Sequence, residues 1–291
     1  MGNIFISFSQ ELGYYEVDLN WCDRYLLFRE THAGSDGEDK MDDRLPYNEI
    51  IDVCLLAGKI MLQNGAETSR VEDTMVRIAA AFGCGESHSF STPTGIIFSL
   101  DGMHPASKLI RVSQRSTDLH KVTLVNSISR SISSKEMTPE EAYLRLKQIE
   151  KAGMGYPMWV QIFAAFIASG CFLIMFQGQW SDFIWSCIAG AMGFSCLLYL
   201  HWLLEVRFFA EFIASLVVGL VAMFFVQIGV GSNLDTIIIG AVMPLVPGLL
   251  ITNAARDLIA GHLVSGLSKG ADAGLTALAI GAGISAAFVF L

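Results

Sequence analysis

Residues 156–291 hold nine formal charges in 136 positions: Arg207, Arg256 and Lys269 against Asp182, Glu205, Glu211, Asp235, Asp257 and Asp272. Soluble domains average about 25% charged residues, so this half cannot build a water-facing surface. It can build a lipid-facing one. The other 16 Lys and Arg and 22 Asp and Glu lie in the first 155 residues. The expected fold class is therefore an integral membrane α-helical bundle preceded by a small cytoplasmic α+β domain.

Five apolar segments mark the expected spans, at about 156–176, 183–204, 208–230, 236–252 and 273–291. Crossing ~30 Å of hydrocarbon takes about 20 helical residues. Four segments meet that length or nearly so. The fourth is short and is interrupted by Pro244 and Pro247. Orientation follows from the bases. Arg207, Arg256 and Lys269 fall in connections on the side of the Lys- and Arg-rich N-terminal region. The opposite connections, 178–182 and 231–235, hold acids only. The positive-inside rule then puts the N-terminal domain in the cytoplasm and the C-terminus outside a plasma membrane. Trp159, Trp180, Trp185 and Trp202 lie near segment ends, as interfacial anchors do. The fifth span carries a small-residue stripe of Ala277, Gly281 and Ser285, with Ala279, Gly283 and Ala287 beside it. Such a face packs closely on another helix, in the same subunit or in a partner.

Residues 1–44 read as an acidic, disordered extension, since the first 45 positions hold ten acids against four bases. They lack the basic start of a signal peptide. Ile6 stands where myristoylation needs Ser or Thr, and Met41 is an alternative start. Residues 45–155 form the expected cytoplasmic domain. One helix runs over 45–65, stopped by Asn64-Gly65. A second runs over 67–82, with Ser69 and Glu72 at capping-box spacing and Val71, Met75, Ile78 and Phe82 as its apolar stripe. Short strands follow at 86–92, 95–100 and 108–113, then helices at 117–133 and from Thr138-Pro139 to 151.

Several function classes are excluded. Residues 46–155 balance twelve acids with twelve bases and show no basic patch, so no nucleic-acid partner is expected. The six cysteines are scattered without a CxxC pair and read as reduced. His88, His104 and His120 are too dispersed for a metal site. There is no Walker motif, nucleophile elbow or dinucleotide fingerprint, so neither an enzyme nor a cofactor is expected.

The run from Met243 to His262 is the most informative stretch. Pro244 and Pro247 remove backbone hydrogen bonds inside a span, and the freed carbonyls need protein or a water-filled cavity. Broken helices of this kind mark substrate sites in transporters. Pro244, Pro247, Gly248, Asn253, Arg256, Asp257 and His262 thus form a candidate substrate path. A plain kink followed by an amphipathic helix is the alternative. His201 and Glu205, one turn apart, with Glu211 form a candidate proton relay. The blander account has all three snorkelling to the headgroups, since each lies near a span end. Glu67, Arg70, Asp73 and Arg77 make a ladder of alternating charge beside Glu72, which by spacing alone reads as a solvated, ion-paired face.

The string Gly65-Ala-Glu-Thr-Ser-Arg-Val-Glu-Asp-Thr74 with Arg77, the Pro93-Thr94-Gly95 turn, and the run Pro247-Gly248…Thr252-Asn253-Ala254-Ala255-Arg256-Asp257…Gly261 resemble the threonine/serine exporter family. The resemblance covers about Leu45 to the C-terminus. It implies secondary export of threonine and serine across the plasma membrane, driven by the proton gradient. It also implies that Glu67, Arg70, Glu72, Asp73 and Arg77 gate the inner mouth or bind the substrate's charged ends. Long members of the family carry a second membrane half, whereas this chain stops at Leu291. Two-component relatives implicated in dicarboxylate (succinate) export pair such a chain with a small membrane subunit. A separate small membrane partner, docked on the small-residue face of the fifth span, or a homo-oligomer is therefore expected. Arg256 alone near the proposed path favours a zwitterion over a dicarboxylate. The remaining rival, a membrane-anchored sensor, would need a nucleotide or catalytic constellation that the sequence lacks.

Overall fold

The computed structural model describes residues 44–101, 105–113, 116–153, 155–203 and 207–289. The acidic extension before Arg44, with Cys22 and Met41, and also His104 and Glu205, lie outside the described residues. Arg44–Leu291 form one compact unit.

An α+β layer comes first. It contains α1 (Arg44–Gln63), α2 (Thr68–Ala81), β1 (Ser87–Thr92), β2 (Gly95–Leu100), β3 (Ala106–Arg111), α3 (Leu119–Ser133) and α4 (Pro139–Lys151). The strands form an antiparallel meander in the order β1-β2-β3. Thr92 pairs with Gly95 across the Pro93-Thr94 turn. Alternation along β2 sends Ile96, Phe98 and Leu100 into the core. There they join Ile51, Leu55, Ile60 and Met61 of α1, Met75 and Ile78 of α2, Ile132 of α3 and Leu146 of α4. β3 starts two residues earlier than its apolar pattern predicts. Its pairing with β2 runs from Leu100 opposite Ala106 to Gly95 opposite Arg111, and that full-length register sets its ends. α4 opens with a capping box between Thr138 and Glu141, with Pro139 in its first turn. Glu150 binds Lys59 of α1 at 2.8 Å and Lys147 at 2.9 Å. Burial raises its carboxyl, but the two lysine hydrogen bonds outweigh that and leave it below the usual carboxylate range.

The apolar helices follow: α5 (Met158–Met175), a 3-10 turn (Trp180–Asp182), α6 (Phe183–Leu203), α7 (Arg207–Gln227), α8 (Leu234–Val242), a second 3-10 turn (Met243–Leu245), α9 (Gly248–Ile259) and α10 (Leu263–Phe288). Four are long and apolar enough to cross a membrane. α8 and α9, bent by 66° at their break, make a fifth span if taken together. Pro244 sits inside the second 3-10 turn and Pro247 at the cap of α9, so the break falls where the missing N–H groups dictate.

Two expected boundaries are corrected. The fourth segment does not end at 252, because α9 continues to Ile259. The fifth does not begin at 273, because α10 begins at Leu263. Lys269 is therefore a helical residue and not a loop base. Hydropathy stopped short of it because a charge normally marks a span end. Here protein groups receive the charge instead of water.

Small residues set the helix spacing. A Cβ on Gly283 would overlap Ser215 Oγ and the Phe212 carbonyl on α7. One on Gly190 would overlap Ser169 of α5, and one on Gly193 would overlap Val218 of α7. Gly283 and Ala287 thus pack inside the chain, whereas Ala277, Gly281 and Ser285 are exposed. Trp159, Trp180 and Trp202 are exposed at helix ends. Trp185 is half-buried, its ring packed 5.0 Å from that of Phe225. Buried Asp182 accepts the amides of Ser232 (2.8 Å) and Asn233 (3.1 Å), tying together the two acid-bearing connections. All five described cysteines are free.

Candidate functional site

Thr68 opens α2, so its amide has no partner inside the helix. Glu67, at the cap position, supplies no side-chain bond. The cap comes instead from Asp257 on α9. Asp257 Oδ1 accepts the Thr68 amide at 3.0 Å, and Oδ2 accepts the Thr68 hydroxyl at 2.8 Å. The expected capping box of Ser69 and Glu72 is not formed. Glu72 turns to β1 and accepts the Ser91 amide at 2.7 Å. Asp257 is fully buried, and its charge is met by Lys269 Nζ at 2.7 Å. Lys269 also donates to Thr68 Oγ1 (3.2 Å) and the Ala66 carbonyl (3.4 Å). Both ions thus sit buried in a seam between α9, α10 and the start of α2.

Four further contacts close the same seam. Asn253 Nδ2 donates to the Gly65 carbonyl at 2.8 Å. Arg256 pairs with Glu67. His262 Nδ1 stands 3.8 Å from Glu72 Oε2, and Ser265 donates to the Ser91 carbonyl at 3.3 Å. The chain reaches Thr68 through Gly65, whose φ of +89° suits glycine; a Cβ there would also press on Leu249 at 3.1 Å. Burial raises the Glu72 carboxyl above its ordinary range, with the Ser91 amide and His262 pulling back only in part.

Beside the seam lies a cavity of about 610 Å³. The α+β layer lines it with Gln63, Ala66, Ser116 and Thr117, and the apolar helices with His201, Leu249, Asn253, Lys269 and Asp272. Residues with hydroxyl, amide, imidazole, ammonium and carboxylate groups share this lining with leucines. That suits a small polar solute with charges of both signs.

The structure brings together Glu67, Glu72, Asn253, Arg256, Asp257 and His262, which the sequence divides between two motifs. Gly248, Pro244 and Pro247 form the break that precedes them. Arg70, Asp73 and Arg77 are exposed on α2, whereas Glu67 and Glu72 are half-buried. Of the candidate relay, His201 is on the cavity wall and Glu211 is buried in α7. Lys269 and Thr68 were not picked out from sequence. Helically spaced small residues around Lys269 (Ser265, Gly266, Ala273) were the available signal that the last helix starts early. His88 stands 3.3 Å from Asp101, and with Glu86 the three ligand atoms lie within 4.8 Å. The neighbours of His88 are thus carboxylates and not other histidines. The group is exposed.

Apolar helices with one broken span, a buried ion pair and a polar cavity define a multi-pass membrane protein of the transporter class. The chain belongs to the threonine/serine exporter family: the family model described as "Putative threonine/serine exporter" matches residues 52–291. It is a membrane exporter of that family. It is similar to the "Probable succinate transporter subunit YjjP" of Klebsiella aerogenes, with 26% identity over 83% of this chain and 94% of that one. The protein of the same name from Escherichia coli K12 is 27% identical over 80% and 91%. The "Probable threonine/serine exporter" of Mycobacterium tuberculosis is 23% identical over 79% of this chain and 44% of its own length. No solved structure matches the chain.

Proposed function

We propose that the protein is a proton-driven secondary exporter of small amino acids, threonine and serine, in the plasma membrane. The α+β layer faces the cytoplasm and the C-terminus lies outside. The cavity lining carries this reading. Lys269, paired with Asp257 at rest, and Asp272 lie three residues apart on α10, among neutral amides and hydroxyls. A zwitterion satisfies both charges, while a dianion leaves Asp272 opposed. The first turn of α9, with Leu249 and Leu250 on the wall, adds helix-start amides for a carboxylate. His201, Glu205 and Glu211 are the candidates for carrying the proton.

A dicarboxylate reading is favoured by one observation. The two relatives named as succinate transporter subunits align over nearly their whole length. In that reading the chain works with a separate membrane subunit, seated on the exposed stripe of Ala277, Gly281 and Ser285.

Counterflow of labelled threonine, serine and succinate in proteoliposomes, under an imposed pH gradient, separates the two. Saturable threonine or serine exchange that succinate does not inhibit supports the first reading. Exchange of succinate alone, restored by a co-purifying membrane subunit, replaces it with the second. Pro247→Ala and Asp257→Asn should each abolish exchange; indifference to both would take the broken span and the seam off the transport path.

A further inference from the structure

We propose that Lys269 is the carboxylate-binding residue of the cavity and that Asp257 is its resting counter-ion, exchanged for a substrate carboxylate during transport. This rests on the export reading and names the group that recognises the solute.

Three observations carry it. First, Lys269 lines the cavity, yet its ammonium is turned to Asp257, Thr68 and Ala66 in the neighbouring seam. It is a nearly fully buried cation at the edge of a space sized for a small solute. Second, a buried ion pair is a poor stability device. An apolar pair of similar size often serves as well, and the best-attested use of such pairs is in specificity and switching. Replacing one carboxylate by another keeps Lys269 paired, and the displaced Asp257 keeps the Thr68 amide and hydroxyl at the start of α2. Third, Asp257 also caps α2 through Thr68. A carboxylate that takes Lys269 leaves Asp257 held by Thr68 alone.

The remaining grips of α9 on the turn before α2 are the Asn253–Gly65 bond and the Arg256–Glu67 pair, both on the same helix as Asp257. α9 follows the proline break, where a helix pivots most readily. Carboxylate exchange at Lys269 therefore breaks the tie between α9 and α10 and leaves α9 held to the α+β layer by its remaining bonds. Recognition of the solute and release of α9 from α10 become one event. Asp272 is on the same wall and puts a negative charge near the second carboxylate of a diacid.

The test is equilibrium binding of labelled threonine and succinate to the full chain purified in detergent, with threoninamide and succinamide as competitors lacking the carboxylate. The carboxylates should compete and the amides should not. Lys269→Gln should weaken binding about tenfold or more, the loss expected for a hydrogen-bonded charge. That variant strands Asp257, so the double variant Lys269→Gln with Asp257→Asn is measured beside it and should show the same loss in a folded protein. The decisive arm is Asp257→Asn alone. Removing the resident competitor should tighten carboxylate binding, whereas a purely structural pair predicts weaker binding in all three variants. Equal binding by the double variant and the parent, or weakening by Asp257→Asn, overturns the proposal. So does a parent that binds no carboxylate. Counterflow with the same parent preparation shows whether the export reading falls with it, since transport with unaltered binding in the variants sinks the Lys269 assignment alone.

Discussion

The α+β layer and the apolar helices are packed by opposite means. The layer buries large side chains, among them Phe98, Ile51, Leu55, Met61, Met75 and Leu146. The helices meet through Ala189, Ala210, Ala214, Ala222 and Ala241, through Gly190, Gly193, Gly240 and Gly283, and through buried Ser169, Ser186 and Ser215. The difference follows from the solvent. In water, every buried Leu or Phe contributes about 1.5–3 kcal/mol by leaving it. In lipid that gain vanishes, because acyl chains are as apolar as leucine. What remains is close backbone approach and hydrogen bonding, both of which favour small residues. The same chain thus carries two packing codes, and the seam at Asp257 and Lys269 is where they meet.

The sharpest way to break the comparison is to add bulk. Gly283→Leu should prevent folding, because even its Cβ overlaps the Phe212 carbonyl, which cannot swing away as a side chain can. Gly281→Leu, two residues earlier on the same helix, should be tolerated, since a Cβ there meets nothing within 4 Å. Recovery of monodisperse protein from membranes measures both. Similar yields would mean that small residues do not set the helix spacing. A smaller effect is expected from removing bulk in the layer. Phe98→Ala should cost about 3–5 kcal/mol, seen as amide exchange about 10²-fold faster or more in α1, α2 and β2 of the intact chain. Exchange in α5–α7 should be unchanged. If those helices loosen equally, the two regions share one cooperative core and the contrast is only compositional.

The two codes were unequally legible in the sequence. Large apolar residues at helical or alternating spacing announce α1, α2 and β2 within a residue or two, because burial in water demands that pattern. The spans announce themselves by length, and the break at Pro244 and Pro247 by chemistry. The site was legible only in halves. Glu67 and Glu72 are close in sequence, as are Asn253, Arg256 and Asp257, but 189 positions separate Thr68 from Asp257 and no local rule links them. The Ser69 and Glu72 spacing mimicked a local cap that the distant aspartate supplies instead. Lys269 was misread for a related reason. A charge beside an apolar run ordinarily marks water, and only the folded chain reveals that its partner is a carboxylate on the preceding helix.

The gentlest probe lies at the seam itself. Burial raises the Glu72 carboxyl above its ordinary value of 4.5. A group that binds its proton more tightly in the folded state contributes stability at low pH and loses it as pH rises through the folded value. The parent should therefore lose stability from about pH 4.5 upward relative to Glu72→Gln, which keeps an acceptor for the Ser91 amide without the charge. Thermal unfolding of both proteins across that range should show curves that coincide in acid and diverge by a small margin toward neutrality, the variant above. A variant that is less stable at neutral pH would mean that the Glu72–His262 contact outweighs desolvation. The seam would then be held by its charges in the way the layer is held by its leucines.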